Sequence, residues 1–134
     1  MPGFSDYAEL KVLDFLFGSA QPALPATWYL ALCSAMPDDT TVNPTEGSYG
    51  GYARLAVTND TGSWSAAASG QKKNKIALNF ATCVSGSGTI VGFAICDAVS
   101  NGTVWAYGSL VTNKIISTGD VPQFAANDIV INLD

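Results

Sequence analysis

Between residues 27 and 133 the chain repeats one short pattern: an apolar or alternating run, then a cluster of Gly, Asn, Asp, Ser or Pro. A period near two sends successive side chains to opposite faces, so these runs suit strands and do not suit helices. Thr27-Trp-Tyr-Leu-Ala-Leu-Cys33 is apolar on both faces and is expected to be buried on both. In 52–58, Ala53, Leu55 and Val57 point one way; in 75–81, Ile76, Leu78 and Phe80 turn inward. Residues 89–96 are a near-continuous β-branched and aromatic run, the mark of a central strand. In 104–111, large Trp105, Tyr107 and Val111 alternate with small Ala106 and Gly108, which would let another layer approach closely. Short strands over 114–117 and 129–133 follow, and Trp64 opens an edge strand. The pattern predicts a mainly β fold: an antiparallel β-sandwich or jelly-roll-like domain spanning 1–134.

One stretch breaks the pattern. Residues 4–17, closed by Gly18, form the N-terminal α-helix of an otherwise stranded chain. Ser5 or Asp6 is placed to cap it, because a short side-chain oxygen accepts from a first-turn N–H. Asp6 and Glu9 also fit a capping box at the positive end of the helix dipole. Gly18 is expected to stop the helix in the left-handed conformation. At 100° per residue, Leu10, Leu13 and Phe17 share one side, while Ala8, Val12, Phe15 and Leu16 share another. Two apolar sides exceed what one contact requires. The helix is therefore expected to lid the 27–33 strand on one side and meet a neighbouring subunit on the other.

Composition points the same way. Charged residues make up 13%, against roughly 25% in a typical soluble domain. Part of the surface must then be covered by uncharged polar residues or by other protein. A net charge of −5 argues against nucleic acid as the main partner. Lys72, Lys73 and Lys75 form the one basic cluster, read chiefly as a solvated turn, with contact to an acidic partner surface as the alternative. No run reaches the roughly 20 apolar residues of a membrane span, and the start shows no secretory leader. Cys33, Cys83 and Cys96 lie in apolar runs without Cys-x-x-Cys spacing, as buried thiols of a chain made in a reducing cytoplasm.

The sequence holds no histidine, which removes histidine-dependent hydrolases and the common zinc sites. No phosphate-cradling glycine loop precedes a helix. Asp38, Asp39, Glu46, Asp60, Asp97, Asp120 and Asp128 leave carboxylate-pair catalysis formally open. Most lie beside Gly, Pro or Asn, where an aspartate bonds its own backbone. No enzyme activity, metal or cofactor is expected, although a calcium ion in the 59–60 or 97–101 loops is conceivable. Trp28, Trp64 and Trp105 could stack on a sugar, but their apolar neighbours favour packing. Tyr49 and Tyr52, flanking Gly50-Gly51 after an overlong 38–51 loop, are expected to be exposed. With Phe4 and Tyr7 they are the candidate protein-interface residues.

Three phrases are distinctive together: Gly3-Phe-Ser-Asp-Tyr-Ala-Glu9 with Leu13-Asp-Phe-Leu-Phe-Gly18, then Gly51-Tyr-Ala-Arg54, and Gly119-Asp-Val-Pro-Gln-Phe-Ala-Ala126 before a terminal strand. They resemble small tailed-bacteriophage virion proteins, of the head decoration (cement) or tail-fibre-like kind. The resemblance implies a non-enzymatic β-sandwich or jelly-roll subunit, packed as an oligomer on a virus particle. The expected role is capsid decoration, preferably as a trimer bound to other virion subunits. The alternatives are a tail or tail-fibre component and a carbohydrate-binding receptor-recognition module. The expected location is the virion, after synthesis in the cytoplasm of the host bacterium.

Overall fold

The computed structural model describes residues 3–133. Five strands make the principal sheet, in the order β1 (Gly3–Phe4), β7 (Val104–Ser117), β6 (Ser87–Cys96), β2 (Thr27–Cys33), β3 (Leu55–Thr58). Two ribbons accompany it: β4 (Gln71–Lys73) with β9 (Val130–Asn132), and β5 (Leu78–Asn79) with β8 (Gln123–Phe124). Every pairing is antiparallel. The result is a β-sandwich with a single helix, α1 (Asp6–Gly18), near its start.

The main core lies on one face of the sheet, where Leu30, Leu32, Val57, Ile90, Phe93 and Ile95 are buried. Trp64, Leu78, Phe80, Cys83 and Ile129 close over them from the second layer. Phe124 of β8 joins the layers, its ring 5.9 Å from Phe93 and 6.4 Å from Phe80, both edge-on. Each fully buried ring or branched side chain of this kind contributes roughly 1.5–3 kcal/mol.

The other face is thin and built from small residues: Ala31, Cys33, Ala94 and Cys96 are fully buried there, with Val104 and Tyr107. The expected burial of the 27–33 strand on both faces holds over its second half, but α1 is not its lid. The 34–46 segment covers this face instead. A Cβ at Gly92 would lie 2.6 Å from both the Met36 sulfur and the Gly108 carbonyl oxygen, so only glycine admits the loop there. Further along, the Tyr107 hydroxyl donates to Asp39, and Thr45 to Gly47 pair with the end of β2.

The thiols register this packing. Burial, then the neighbouring Cys96 and Glu46, raises the Cys33 thiol from 9.0 to about 12, and burial raises Cys96 to about 11. Unfolded thiols ionise near 9.0, so this contribution is whole below pH 9 and is lost as pH climbs toward those raised values. Alkaline titration followed by circular dichroism is expected to show cooperative loss of structure within that window. At neutral pH, a thiol reagent should label none of the three buried cysteines until denaturant is added. Rapid labelling of the folded chain would contradict this packing.

Several strand expectations are corrected. Residues 104–111 and 114–117 are one long strand, β7, interrupted where Val91 alone faces 110–113. The 75–81 run shrinks to β5, and Ile76 is exposed. Residues 52–54 lie outside β3, and Ala53 is exposed. The lysine turn is a strand, because Lys72 and Lys73 pair with Ile131 and Val130 of β9. Its neighbour Asn74 is fully buried as the knot of this layer. The Asn74 amide donates to the carbonyls of Ile76 and Ala125, 2.8 Å each, and its oxygen accepts from Ile129 N, also at 2.8 Å.

Candidate functional site

The start of α1 is held by Ser5, which is 2% exposed. Its hydroxyl accepts from Ala8 N at 3.3 Å and donates to the Val104 carbonyl at 2.6 Å. Pairing between β6 and β7 passes from Ile95–Ala106 to Cys96–Val104, leaving Trp105 as the bulged residue. That bulge frees backbone groups of β7 for the cap, and Ser5 N also donates to Trp105 O at 3.0 Å. Ser5 is thus the N-cap, not Asp6. The Asp6–Glu9 box does not form, since the Asp6 amide goes to the Asp39 carbonyl. Gly18 is the last helical residue, and Ser19, at φ 58°, takes the left-handed position expected of it.

So anchored, α1 turns very little inward. Ala8 is its one buried residue, and Lys11 and Val12 are half-buried beside it. At 100° per residue, the direction opposite Ala8 is occupied by Leu10, Leu13 and Phe17. These are 62%, 53% and 86% exposed. The expected core lid is absent; the expected spare apolar face is real and points away from its own domain. Phe15 and Leu16 are exposed too, but on other sides of the helix.

Beside the root of α1 lies an aromatic groove of about 390 Å³. Trp28, Trp64, Trp105, Phe4, Ile131 and Leu133 are among the apolar side chains lining it, and Lys72 is the one charged residue lining it among the described residues. Bulging places Trp105 edge-on to both Trp28 (5.4 Å) and Tyr7 (5.2 Å), and its Nε1 donates to Asp97. The Trp64 Nε1 is buried without a hydrogen-bond partner.

The four candidate interface residues divide between the two edges of the sheet. Phe4, in edge strand β1 opposite Ala106, is half-buried and lines the groove; Tyr7 is 41% exposed above Trp105, with Lys11 5.3 Å from its ring. Tyr49 and Tyr52 sit at the far edge, and the expected exposure of Tyr49 does not hold, since it is buried at 3%. Its ring packs edge-on to Tyr52 at 5.5 Å. The Tyr52 hydroxyl accepts from Leu32 N at 3.1 Å and donates to Glu46 at 2.5 Å. Burial, followed by that hydrogen bond, raises its pKa. Arg54 forks onto the same carboxylate at 2.9 and 3.0 Å and donates to the carbonyls of Ala98 and Asn101. These groups pin the 34–51 segment to the sheet.

The remaining carboxylates are occupied in the same structural manner. Asp38, Asp60, Asp97, Asp120 and Asp128 each accept from backbone amides within two to six residues. Among the described residues no group of three or more Cys, Asp or Glu is arranged to hold a metal ion. No described helix is long and apolar enough to cross a membrane.

A family model described as podophage GP4 fiber I protein gp80 matches residues 3–132. The chain belongs to this family. Membership makes it a bacteriophage virion structural protein, which agrees with the family resemblance carried by the three phrases. No curated protein matches the chain. Two apolar features lie side by side in the structure: the outward stripe of α1 and the groove at its root. Leu10, Leu13 and Phe17 were visible as a sequence set. The groove was not, because the bulge that turns Trp105 toward Trp28 leaves no periodic signal.

Proposed function

We propose that this chain is a non-enzymatic fibre component of a podophage particle, joined to other virion subunits through the exposed face of α1. The observation that carries this reading is the stripe of Leu10, Leu13 and Phe17, rigidly presented by the Ser5 cap and turned away from its own core. Large apolar side chains left in water at a fixed spacing suit a protein partner. The family description favours a fibre over the capsid-cementing role. Synthesis in the host cytoplasm suits the three unpaired thiols. A sugar-binding role is less well supported, since Trp64 and Trp105 are buried and, among the described residues, no carboxylate lines their groove.

Particles assembled with a Leu10→Asp/Phe17→Asp chain test the proposal. The substituted chain should keep its circular dichroism spectrum and be lost from purified particles, while antibody labelling finds the unsubstituted chain on fibres. Retention of the variant at the normal copy number would overturn the role of α1, and labelling spread over the capsid surface would favour cementing instead.

A further inference from the structure

Resting on that reading, we infer that α1 of one copy docks in the tryptophan groove of a second copy of the same chain. The stripe cannot serve its own groove. Ala8 and the Ser5 cap hold the helix with Leu10, Leu13 and Phe17 facing outward, so turning them in would break the buried bond from Ser5 to Val104. The two surfaces match in chemistry. Acidic Asp6, Glu9 and Asp14 flank the stripe with Lys11 as the only basic residue on the helix. Among the described residues the groove is lined by apolar rings, holds no acidic residue, and carries Lys72 as its charge, with Lys73 and Lys75 on the same short segment.

The sizes are compatible as well. At roughly 200 Å² for a large side chain, the exposed fractions of Leu10, Leu13 and Phe17 present about 400 Å² of surface. A stable interface buries about 800 Å² on each partner, and in a reciprocal pair each copy buries its groove as well as its stripe. The groove, at about 390 Å³, has room for more than one large side chain. Each copy then gives one helix and receives one. Two copies engage reciprocally, or three close into a ring, the trimer expected from the sequence.

Mixing two full-length variants tests this directly. Phe17→Asp disables the helix and leaves the groove intact; Lys72→Glu with Ile131→Asp disables the groove and leaves the helix intact. Light scattering should show the unsubstituted chain as an oligomer. Each variant alone should dissociate, with its dissociation constant raised at least ~30-fold. The equimolar mixture should recover a complex held by one intact contact. A photo-crosslinking residue at position 17 should join peptides containing Trp28 or Ile131 of another copy, a result that does not require the groove variant to fold. A monomeric unsubstituted chain, a mixture that stays dissociated, or crosslinks elsewhere would overturn self-docking. If the Leu10→Asp/Phe17→Asp chain is then still lost from particles, the fibre role stands and its helix binds a different virion protein.

Discussion

Replacing Asn74 with alanine is expected to lower the unfolding free energy by about 3–4 kcal/mol, a large fraction of the ~5–15 kcal/mol that holds a domain of this size. The side chain is wholly buried and makes three hydrogen bonds of 2.8 Å, one accepted and two donated. Its backbone adds two more, to Ile129 O and from Asn127 N. Alanine removes the side-chain partners and leaves Ile129 N and Ile76 O unpaired, at about 1–3 kcal/mol each before relaxation, while Ala125 O keeps only its bond from Asp128 N. The consequence is local in origin and global in effect, because Asn74 joins the end of β4 to the turn that launches β9. Guanidinium unfolding should show a lower midpoint, and the melting temperature should fall by roughly 10–15 °C. Asn74→Asp should be no milder, since it keeps the acceptor but aims an anion at two carbonyls. A loss below about 1 kcal/mol would show that water replaces the amide, against the burial described.

Glu46→Ala is expected to destabilise by about 3 kcal/mol, and to loosen one named surface. The Arg54 side chain is 4% exposed and Glu46 23%, so the carboxylate is the neutralising partner of an almost buried cation. Removing one member of such a pair leaves an uncompensated charge, which costs more than the intact pair ever contributed. The double substitution Glu46→Ala/Arg54→Met should recover about 2 kcal/mol of that loss, because the stranded guanidinium is gone. The second readout is the thiol of Cys33, which pairs across to Glu46 under the 34–46 segment. It should become reactive in the single variant under native conditions. Unchanged stability with an unreactive thiol would mean that Met36 and Asp39 hold the segment without the ion pair.

How much of this was legible beforehand depended on the range of the forces involved. The apolar runs at 27–33 and 89–96 are local, and both became central strands of the sheet. The Asp38 and Asp60 turns were equally local: each carboxylate bonds the amides immediately after it. Ser5 was readable as one of two caps, but the choice between it and Asp6 rested on a bond to Val104, 99 positions away. Tyr49 illustrates the opposite failure. Glycines on one side suggested an exposed loop, yet Tyr49 packs against Tyr52 and into the main core. The lysine segment misled for a related reason, since its pairing with Val130 and Ile131 lies almost sixty residues further on.

By itself the sequence determined the mainly β fold, the lone helix and its double apolar surface, because each follows from spacing along a few consecutive residues. It also carried the phrases that resemble phage virion proteins, and the family match over 3–132 agrees with them. Tertiary structure alone decided that Ala8 and Val12 turned inward while the other apolar residues of the helix remained largely in water. The thin face of the sheet was taken by the 34–46 segment, whose fit depends on Gly92 having no side chain. With that face occupied, Leu10, Leu13 and Phe17 had no core to enter. The bulge at Trp105 then gathered three indoles, distant in sequence, into the groove at the root of the helix.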